Sequence, residues 1–165
     1  MREMWDLYDV KGNQLGRLHE RGLPLIEEEY HLVVEVCIVN NNNEMLMTQR
    51  NPNKTWGGYW ECTIGAVIAG ENAITGARRE VSEAVGIEIT EEHITYLGTK
   101  RYRGWFVDSF LARVDLPKSC IPIQSSEFID TKWVDRKELE TMCTQGTIVP
   151  FAKERLHLYR NVIMS

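Results

Sequence analysis

Cysteine is sparse in this 165-residue sequence, and no two cysteines lie close together in the chain. They are Cys37, Cys62, Cys120 and Cys143, and they form no Cys-x-x-Cys pair. This spacing indicates neither a zinc site nor a redox motif. Because free cysteine behaves as a small apolar side chain, we expect these thiols to be reduced and mostly buried.

Long apolar runs are missing as well. The first residues, MREMWDLYDVKGN, are charged and rich in turn formers where a signal peptide would have an apolar segment. No run elsewhere approaches the roughly 20 apolar residues that a membrane-spanning helix needs. We therefore expect a cytoplasmic protein with no membrane partner.

Positive charge is also in deficit. The chain has 19 lysines and arginines against 24 acidic residues, which gives a net charge of −5. Because binding to the nucleic-acid backbone depends on clustered lysine and arginine, we expect no nucleic-acid partner. An anionic ligand would need a local basic patch or a metal ion.

What is present is the composition of an ordinary globular chain, with 43% apolar and 26% charged residues. A chain of this length can bury its own core without disulfides or metals. It contains no internal repeat and no low-complexity segment beyond the asparagine run at 40–43. We therefore expect one domain that spans residues 1–165.

The first half of the chain is predicted to consist mostly of strands. Turn residues at 9–13 predict an opening hairpin, and the asparagine run predicts a second hairpin. A short strand is expected at 60–64. Apolar residues then recur at spacings of three and four, which predicts a helix over 72–85 that ends at Gly86.

In the second half, two strands are predicted to join near Arg103 and Gly104. Asp135 is expected to cap a short helix, because its side chain can accept a hydrogen bond from the first turn. Pro150 is expected to begin the C-terminal helix.

Two carboxylates mark the predicted helix at 72–85. Glu80 and Glu83 are three residues apart, so their side chains project from the same face about one turn apart. Such a pair is either a solvated acidic face or a site for a hard cation such as Mg²⁺, which takes carboxylate oxygens and keeps waters that a phosphate can displace. The spacing alone leaves both interpretations open.

The segment 65–87 resembles the Nudix box. The family pattern is Gly, five residues, Glu, seven residues, and then Arg-Glu-apolar-x-Glu-Glu-x-Gly-apolar. Here Gly65 precedes Glu71 by five intervening residues, and seven more lead to the run Arg79-Glu80-Val81-Ser82-Glu83-Ala84-Val85-Gly86-Ile87. Every position matches except Ala84, where the family has a glutamate.

This resemblance implies an α/β fold, an α/β/α sandwich with a mixed β-sheet between helices. It implies a single Nudix domain in which residues 1–30 form an N-terminal hairpin extension and residues 65–87 form the box. The opening WDLYDVKGNQLGRLHERG is similar to the start of the isopentenyl-diphosphate-isomerase-like branch of Nudix hydrolases.

Residue roles follow from the resemblance. Glu80 and Glu83, with the backbone carbonyl of Ile64, are implied ligands of Mg²⁺ or Mn²⁺. Glu80 and Glu127 are implied catalytic residues. The resemblance also implies an ion pair between Arg79 and Glu71 within the box. The residues expected to support the box structurally are Gly65, Glu71, Arg79 and Gly86.

The family chemistry implies hydrolysis of the pyrophosphate bond in a nucleoside diphosphate that is linked to another moiety. The implied partner is a small-molecule diphosphate substrate. Arg50 is a predicted phosphate partner, because a guanidinium pairs with phosphate oxygens. Tyr102 and Trp105 flank basic residues and are predicted to bind the rest of the substrate.

Alternatives to a metal-dependent hydrolase stay open at this point. Ala84 removes one charged ligand and should weaken metal binding, which favours a catalytically feeble binding or regulatory domain as the second candidate. An isopentenyl-diphosphate isomerase is disfavoured, because Cys62 is out of register with the cysteine of that enzyme. A homodimer is also left open.

Overall fold

The computed structural model describes residues 1–116, 121 and 126–165, so Cys120 lies outside the described residues. Its strands are β1 (Met4–Tyr8), β2 (Gln14–Glu20), β3 (His31–Asn40), β4 (Met45–Arg50), β5 (Trp60–Glu61), β6 (Thr63–Ala66), β7 (Ile94–Tyr102), β8 (Trp105–Val114) and β9 (Phe128–Val134). Its helices are α1 (Ala73–Val85), α2 (Arg136–Gln145), α3 (Pro150–Ile163) and a short 3₁₀ turn at Glu91–His93.

Strand β3 organises the main sheet. It pairs in parallel with β8 along its whole length, from His31 opposite Trp105 to Asn40 opposite Val114. On its other side it pairs antiparallel with β6 and, at the hairpin turn, with β4. Strand β4 in turn pairs with β5 and β9, and β7 forms the edge beside β8. The sheet is therefore mixed, as expected.

The two faces of the sheet are covered by different helices. Alternation along a strand sends successive side chains to opposite faces. Accordingly, Val36 of β3 packs in one core with Val81 of α1. The next residue, Cys37, packs in a second core with Leu139 of α2 and Leu156 of α3. The expected α/β/α sandwich is confirmed.

Helix α1 has capped ends that agree with the sequence. The Asn72 side chain accepts a hydrogen bond from the Thr75 N–H at 2.9 Å, which satisfies a donor that the first turn leaves free. Gly86 has a φ of 69° and its N–H donates to the Ser82 carbonyl, a left-handed end that glycine adopts without strain. The predicted helix over 72–85 is confirmed.

The N-terminal hairpin lies against the loop that leads into α1. Strands β1 and β2 form a separate two-stranded sheet, and the predicted turn is present, with the Asn13 N–H donating to the Asp9 carboxylate. The hairpin is joined to the loop by the Ala69 N–H, which donates to the Met4 carbonyl at 2.8 Å. The Gly70 N–H donates to the Asp6 carboxylate at 2.9 Å.

The remaining local predictions also agree with the structure. Strands β7 and β8 join at Gly104, and Asp135 accepts from the Glu138 N–H at the start of α2. Pro150 opens α3. The strand expected at 60–64 is two short strands separated at Cys62. No helix among the described residues is long and apolar enough to cross a membrane.

Candidate active site

Gly65 and Glu80 are in direct contact where β6 meets α1. A Cβ atom added to Gly65 would lie 1.9 Å from the Glu80 carboxyl carbon. Any other residue at this position would therefore displace the Glu80 carboxylate. The glycine is required because the carboxylate packs directly on the strand backbone.

Arg79 connects the acidic residues of the box. Its guanidinium donates two hydrogen bonds to Glu71, at 2.7 and 3.0 Å. One nitrogen, Nη1, also donates to Glu80 at 2.8 Å and to Glu83 at 3.2 Å. A further bond reaches the Ala66 carbonyl at 2.9 Å. The expected ion pair is thus part of a larger network that orients both Glu80 and Glu83.

The two helix carboxylates differ in environment. Burial raises the pKa of Glu80, the hydrogen bond from Arg79 opposes that shift, and the negative charges of Glu83 and Glu3 add to it. The Glu83 side chain is 63% exposed. Burial disfavours the charged form of a carboxylate, and a cation beside it stabilises that charged form.

A cavity of about 520 Å³ opens over these residues. Its lining is Glu3, Arg21, Arg50, Lys54, Thr55, Ile64, Gly65, Ala66, Arg79, Glu80, Glu83, Ala84, Ser126, Glu127 and Phe128. Cationic and acidic side chains are equal in number in this lining. The cavity as described is therefore balanced in charge, in contrast to a basic groove for nucleic acid.

Glu127 reaches the cavity from the segment just before β9. The Lys54 ammonium lies 3.1 Å from its carboxylate, and both side chains are about half exposed. The structure thus brings Glu127 to the same cavity as Glu80 and Glu83, although these residues are far apart in sequence.

Arg50 lines the cavity, but its guanidinium has partners of its own. It donates to Glu61 at 2.7 Å and to the Thr55 carbonyl at 2.7 Å. Burial raises the pKa of Glu61, and the Arg50 charge opposes that rise. Because Glu61 is buried, moving Arg50 toward a ligand would leave an uncompensated charge.

Tyr102 and Trp105 lie elsewhere. Their rings stack with centroids 4.5 Å apart, and both line a second cavity, together with Arg101 and Arg103. The Tyr102 hydroxyl accepts a hydrogen bond from Arg155 at 3.2 Å. These aromatic residues are therefore absent from the described lining of the carboxylate cavity.

Comparison with known proteins identifies the family. The model of the NUDIX domain matches residues 29–159. The chain belongs to the Nudix family. A Nudix hydrolase of Listeria monocytogenes is 31% identical over 151 residues, which cover 90% of this chain and 89% of the relative. The chain is accordingly a Nudix hydrolase, an enzyme of the pyrophosphohydrolase type.

Two further similarities are informative. An RNA pyrophosphohydrolase of Pelagibacter ubique is 24% identical, with 78% of this chain and 86% of that protein covered. A crystal structure from Deinococcus radiodurans superposes with a TM-score of 0.72 at 18% identity, over 89% of this chain and 92% of that one. The structural likeness supports the Nudix fold alone.

Within the Nudix box, the substituted position also faces the cavity. Ala84, a residue of α1, lies in the cavity lining, is only 6% exposed and packs in the core between α1 and the sheet. Ile64 lies in the same lining, on β6 just before Gly65. The one departure from the box pattern, Ala84, and the implied carbonyl ligand, Ile64, thus both lie on the cavity wall.

The donor set suits a hard cation that keeps some of its waters. Glu80 and Glu83 each accept a hydrogen bond from Nη1 of Arg79 through one oxygen, so the two carboxylates lie side by side and each has a second oxygen that this nitrogen does not bond. Mg²⁺ is often held by one or two carboxylates together with substrate phosphate. Across residues 1–116, 121 and 126–165, no group of three or more His, Cys, Asp or Glu side chains forms a preformed metal cage.

The sequence interpretation missed two charged cavity residues that belong to the N-terminal hairpin. Glu3 and Arg21 come from the N-terminal hairpin, which was treated only as an extension. No motif in residues 1–22 distinguishes these two side chains from their charged neighbours. Their place in the site is fixed by how the hairpin packs on the box loop, which is a tertiary property.

Proposed function

We propose that this Nudix hydrolase is metal-dependent and cleaves the pyrophosphate bond of a nucleoside diphosphate linked to another moiety. One observation carries the proposal. Glu80, packed against Gly65, shares a single Arg79 nitrogen with Glu83 on the wall of the cavity. Two carboxylates are thereby held side by side next to a space large enough for a diphosphate.

Glu80 and Glu83, with the carbonyl of Ile64, would hold Mg²⁺ or Mn²⁺. A bound divalent ion supplies charge neutralisation to the diphosphate and a lowered pKa to a coordinated water. Arg79 keeps both carboxylates oriented, while Glu71, Gly65 and Gly86 keep the helix and its loop in place. These residues act on the carboxylates and do not touch the substrate.

Glu127 is proposed as the general base. A base must lie within hydrogen-bonding reach of the attacking water, and it must be ionised. The Lys54 ammonium holds Glu127 at the cavity, where its carboxylate can take a proton from water. When phosphate enters, Lys54 can turn toward the phosphate oxygens, because an exposed ion pair costs little to break.

The substrate is proposed to be a small molecule. The net charge of −5 and the balanced cavity lining do not favour a nucleic-acid backbone. Arg50 would contribute long-range positive charge to the phosphates while it stays paired with Glu61. Tyr102 and Trp105 would contact only a substrate portion that extends beyond the carboxylate cavity.

Several coarser expectations belong to the same proposal. We place the enzyme in the cytoplasm and treat residues 1–165 as one domain, with residues 1–30 as the hairpin extension and 65–87 as the box. The N-terminal similarity to isopentenyl-diphosphate-isomerase-like hydrolases supports that branch. A homodimer is compatible with the exposed hairpin but has no residue assigned to it.

A substrate panel tests the proposal. Wild type and Glu80→Gln are assayed on nucleoside diphosphate derivatives and on an RNA with a 5′-triphosphate, with Mg²⁺ and with Mn²⁺. We expect metal-dependent turnover of a small diphosphate and a loss of at least about a hundredfold in Glu80→Gln. Glu91→Gln, which changes an exposed glutamate outside the cavity, should keep full activity. Full activity in Glu80→Gln would contradict the proposal.

A second candidate, a binding domain with feeble catalysis, is favoured by Ala84. The variant Ala84→Glu places a third carboxylate beside Glu80 and Glu83. We expect it to lower the free energy of unfolding without metal by about 1–3 kcal/mol, because a carboxylate is then placed at a buried position beside the like charge of Glu80. Mg²⁺ should restore the loss and raise the thermal midpoint more than in wild type. If the wild type shows no turnover and Ala84→Glu is active, the protein is a binding domain.

A further inference from the structure

The N-terminal hairpin forms one wall of the carboxylate cavity. Arg21 follows β2 directly, and its side chain is 56% exposed and lines the cavity with Glu80 and Glu83. Its guanidinium donates to the Glu3 carboxylate at 3.0 Å. Within the described part of the chain, that carboxylate is its one ion-pair partner.

This wall is held in place by contacts away from the cavity. The Arg21 N–H donates to the Glu3 carbonyl at 2.9 Å. The other Glu3 carboxylate oxygen accepts from the Trp5 indole N–H at 2.8 Å, and the Trp5 ring stacks on His31 at 4.0 Å between centroids. His31 begins β3. Arg21 is therefore positioned by the hairpin pair and by the main sheet.

The arginines in the cavity lining differ in the number and burial of their hydrogen-bond and ion-pair partners. Arg79 has two carboxylates and a backbone carbonyl besides Glu83, and Arg50 is tied to the buried Glu61. Among the residues that the structure describes, Arg21 pairs only with the partly exposed carboxylate of Glu3, which a phosphate can replace. A phosphate carries more acceptor oxygens than a carboxylate, and the guanidinium fork matches it.

We propose that Arg21 binds a phosphate oxygen of the diphosphate substrate and that Glu3 competes with the substrate for it. Glu3 holds Arg21 at the cavity wall in the free enzyme and releases it when phosphate enters. The hairpin is then part of the substrate site. This inference rests on the proposed function, because it assumes a diphosphate in the cavity.

Two variants of the same ion pair separate binding from structure. Arg21→Gln and Glu3→Gln both remove the pair, so a purely structural role would make their effects alike. If Glu3 competes with the substrate, the two variants should change the affinity for phosphate in opposite directions. Arg21→Gln removes a phosphate partner, whereas Glu3→Gln removes the competitor and leaves Arg21 available.

A neighbouring ion pair gives a matched control. Arg2 donates to Glu20 at 3.1 Å across the same hairpin, with the same separation in sequence as Arg21 and Glu3. Arg2 is outside the cavity lining. The variant Arg2→Gln therefore removes an equal charge and a comparable pair without touching the site.

Binding of inorganic pyrophosphate is measured by titration calorimetry with saturating Mg²⁺ for wild type and the three variants. We expect about tenfold weaker binding in Arg21→Gln, because a charge-assisted hydrogen bond is lost. Glu3→Gln should bind about threefold more tightly, and Arg2→Gln should match wild type. Unfolding midpoints in urea should agree among all four proteins.

The outcomes are distinguishable. If Arg21→Gln binds within twofold of wild type, or if both site variants shift affinity in the same direction, the role of Arg21 is wrong while the hydrolase proposal stands. If wild type neither binds pyrophosphate with Mg²⁺ nor turns over any substrate of the panel, the proposed function fails and the inference falls with it.

Discussion

Two arginine–glutamate pairs with the same chemistry occupy opposite environments in this molecule. Arg155 and Glu35 join α3 to β3, and both side chains are 1% exposed. Their bidentate contact has distances of 2.8 and 2.9 Å, and Ser109 donates a further bond to Glu35. Arg21 and Glu3 make one contact at 3.0 Å, with side chains 56% and 32% exposed.

The difference shows how burial decides what a charge pair can do. The Arg155–Glu35 pair cannot exchange partners, since separation would leave a charge in the core without compensation. The Arg21–Glu3 pair can exchange its carboxylate for a ligand at small cost. Arg79 is intermediate, at 22% exposure with several acceptors. The three pairs together predict that a substitution lowers the free energy of unfolding more, the more buried the pair is. They also predict that a substitution changes ligand affinity only where the residue lines the cavity.

The largest effect is expected at the buried pair. Arg155→Met should lower the free energy of unfolding by about 3–5 kcal/mol, because Glu35 is left buried and uncompensated. Urea unfolding measures the change. Arg160→Met, which removes an exposed arginine from the same helix, should stay within about 0.5 kcal/mol. A loss below about 1 kcal/mol at Arg155 would break the comparison.

Arg79 should give a smaller loss of stability with a complete loss of function. Arg79→Met leaves Glu71 and Glu80 without their shared cation, and we expect the free energy of unfolding to fall by about 2–3 kcal/mol. Arg79→Lys keeps the charge without the guanidinium fork and should lie between Arg79→Met and wild type. Paired urea unfolding and pyrophosphate titration check both effects. Wild-type affinity in Arg79→Met would refute the assigned role.

The hairpin wall contacts the half-buried His31 through Trp5, and the pH dependence of stability tests this support. Burial lowers the pKa of His31 to about 4. Between pH 6.5, the pKa of histidine in the unfolded chain, and about pH 4, the unfolded chain is protonated at this residue and the folded protein is not. The stabilisation is therefore complete above this pH range and is lost as pH falls through it. We expect the free energy of unfolding to fall by about 3 kcal/mol across this range.

The variant His31→Phe keeps a ring for Trp5 to stack on but cannot titrate. The difference in unfolding free energy between wild type and His31→Phe should therefore shrink or reverse as pH falls from 7 to 4. A difference that is constant with pH would show that the low pKa of His31 does not contribute to stability.

The smallest stability effect is expected at Lys54. Because Lys54 and Glu127 are 45% and 49% exposed, Lys54→Gln should change the free energy of unfolding by less than about 0.5 kcal/mol. Pyrophosphate affinity should nevertheless fall by about threefold to tenfold. Lys100→Gln, which breaks an exposed pair with Glu154 away from the cavity, provides the control. If Lys54→Gln and Lys100→Gln bind pyrophosphate equally well, Lys54 does not contact the substrate.

Local patterns predicted local structure well. The glycine end of α1 and the Asp135 cap of α2 were predicted because a helix end is satisfied by residues within one turn. The ion pair of Arg79 with Glu71 was implied by the resemblance to the Nudix box, because both residues belong to the box pattern. The partner of Arg50 was not predicted, because Glu61 reaches it only through the pairing of β4 with β5.

The sequence by itself determined the family, the carboxylate helix and the turns, because each is encoded by residues that are near neighbours along the chain. Only the tertiary structure decided that Arg155 closes on Glu35, 120 residues away, and that the hairpin carries Arg21 to the cavity. The physical reason is burial. The environment of a charge depends on which distant segments exclude water from it, and no local pattern specifies that exclusion.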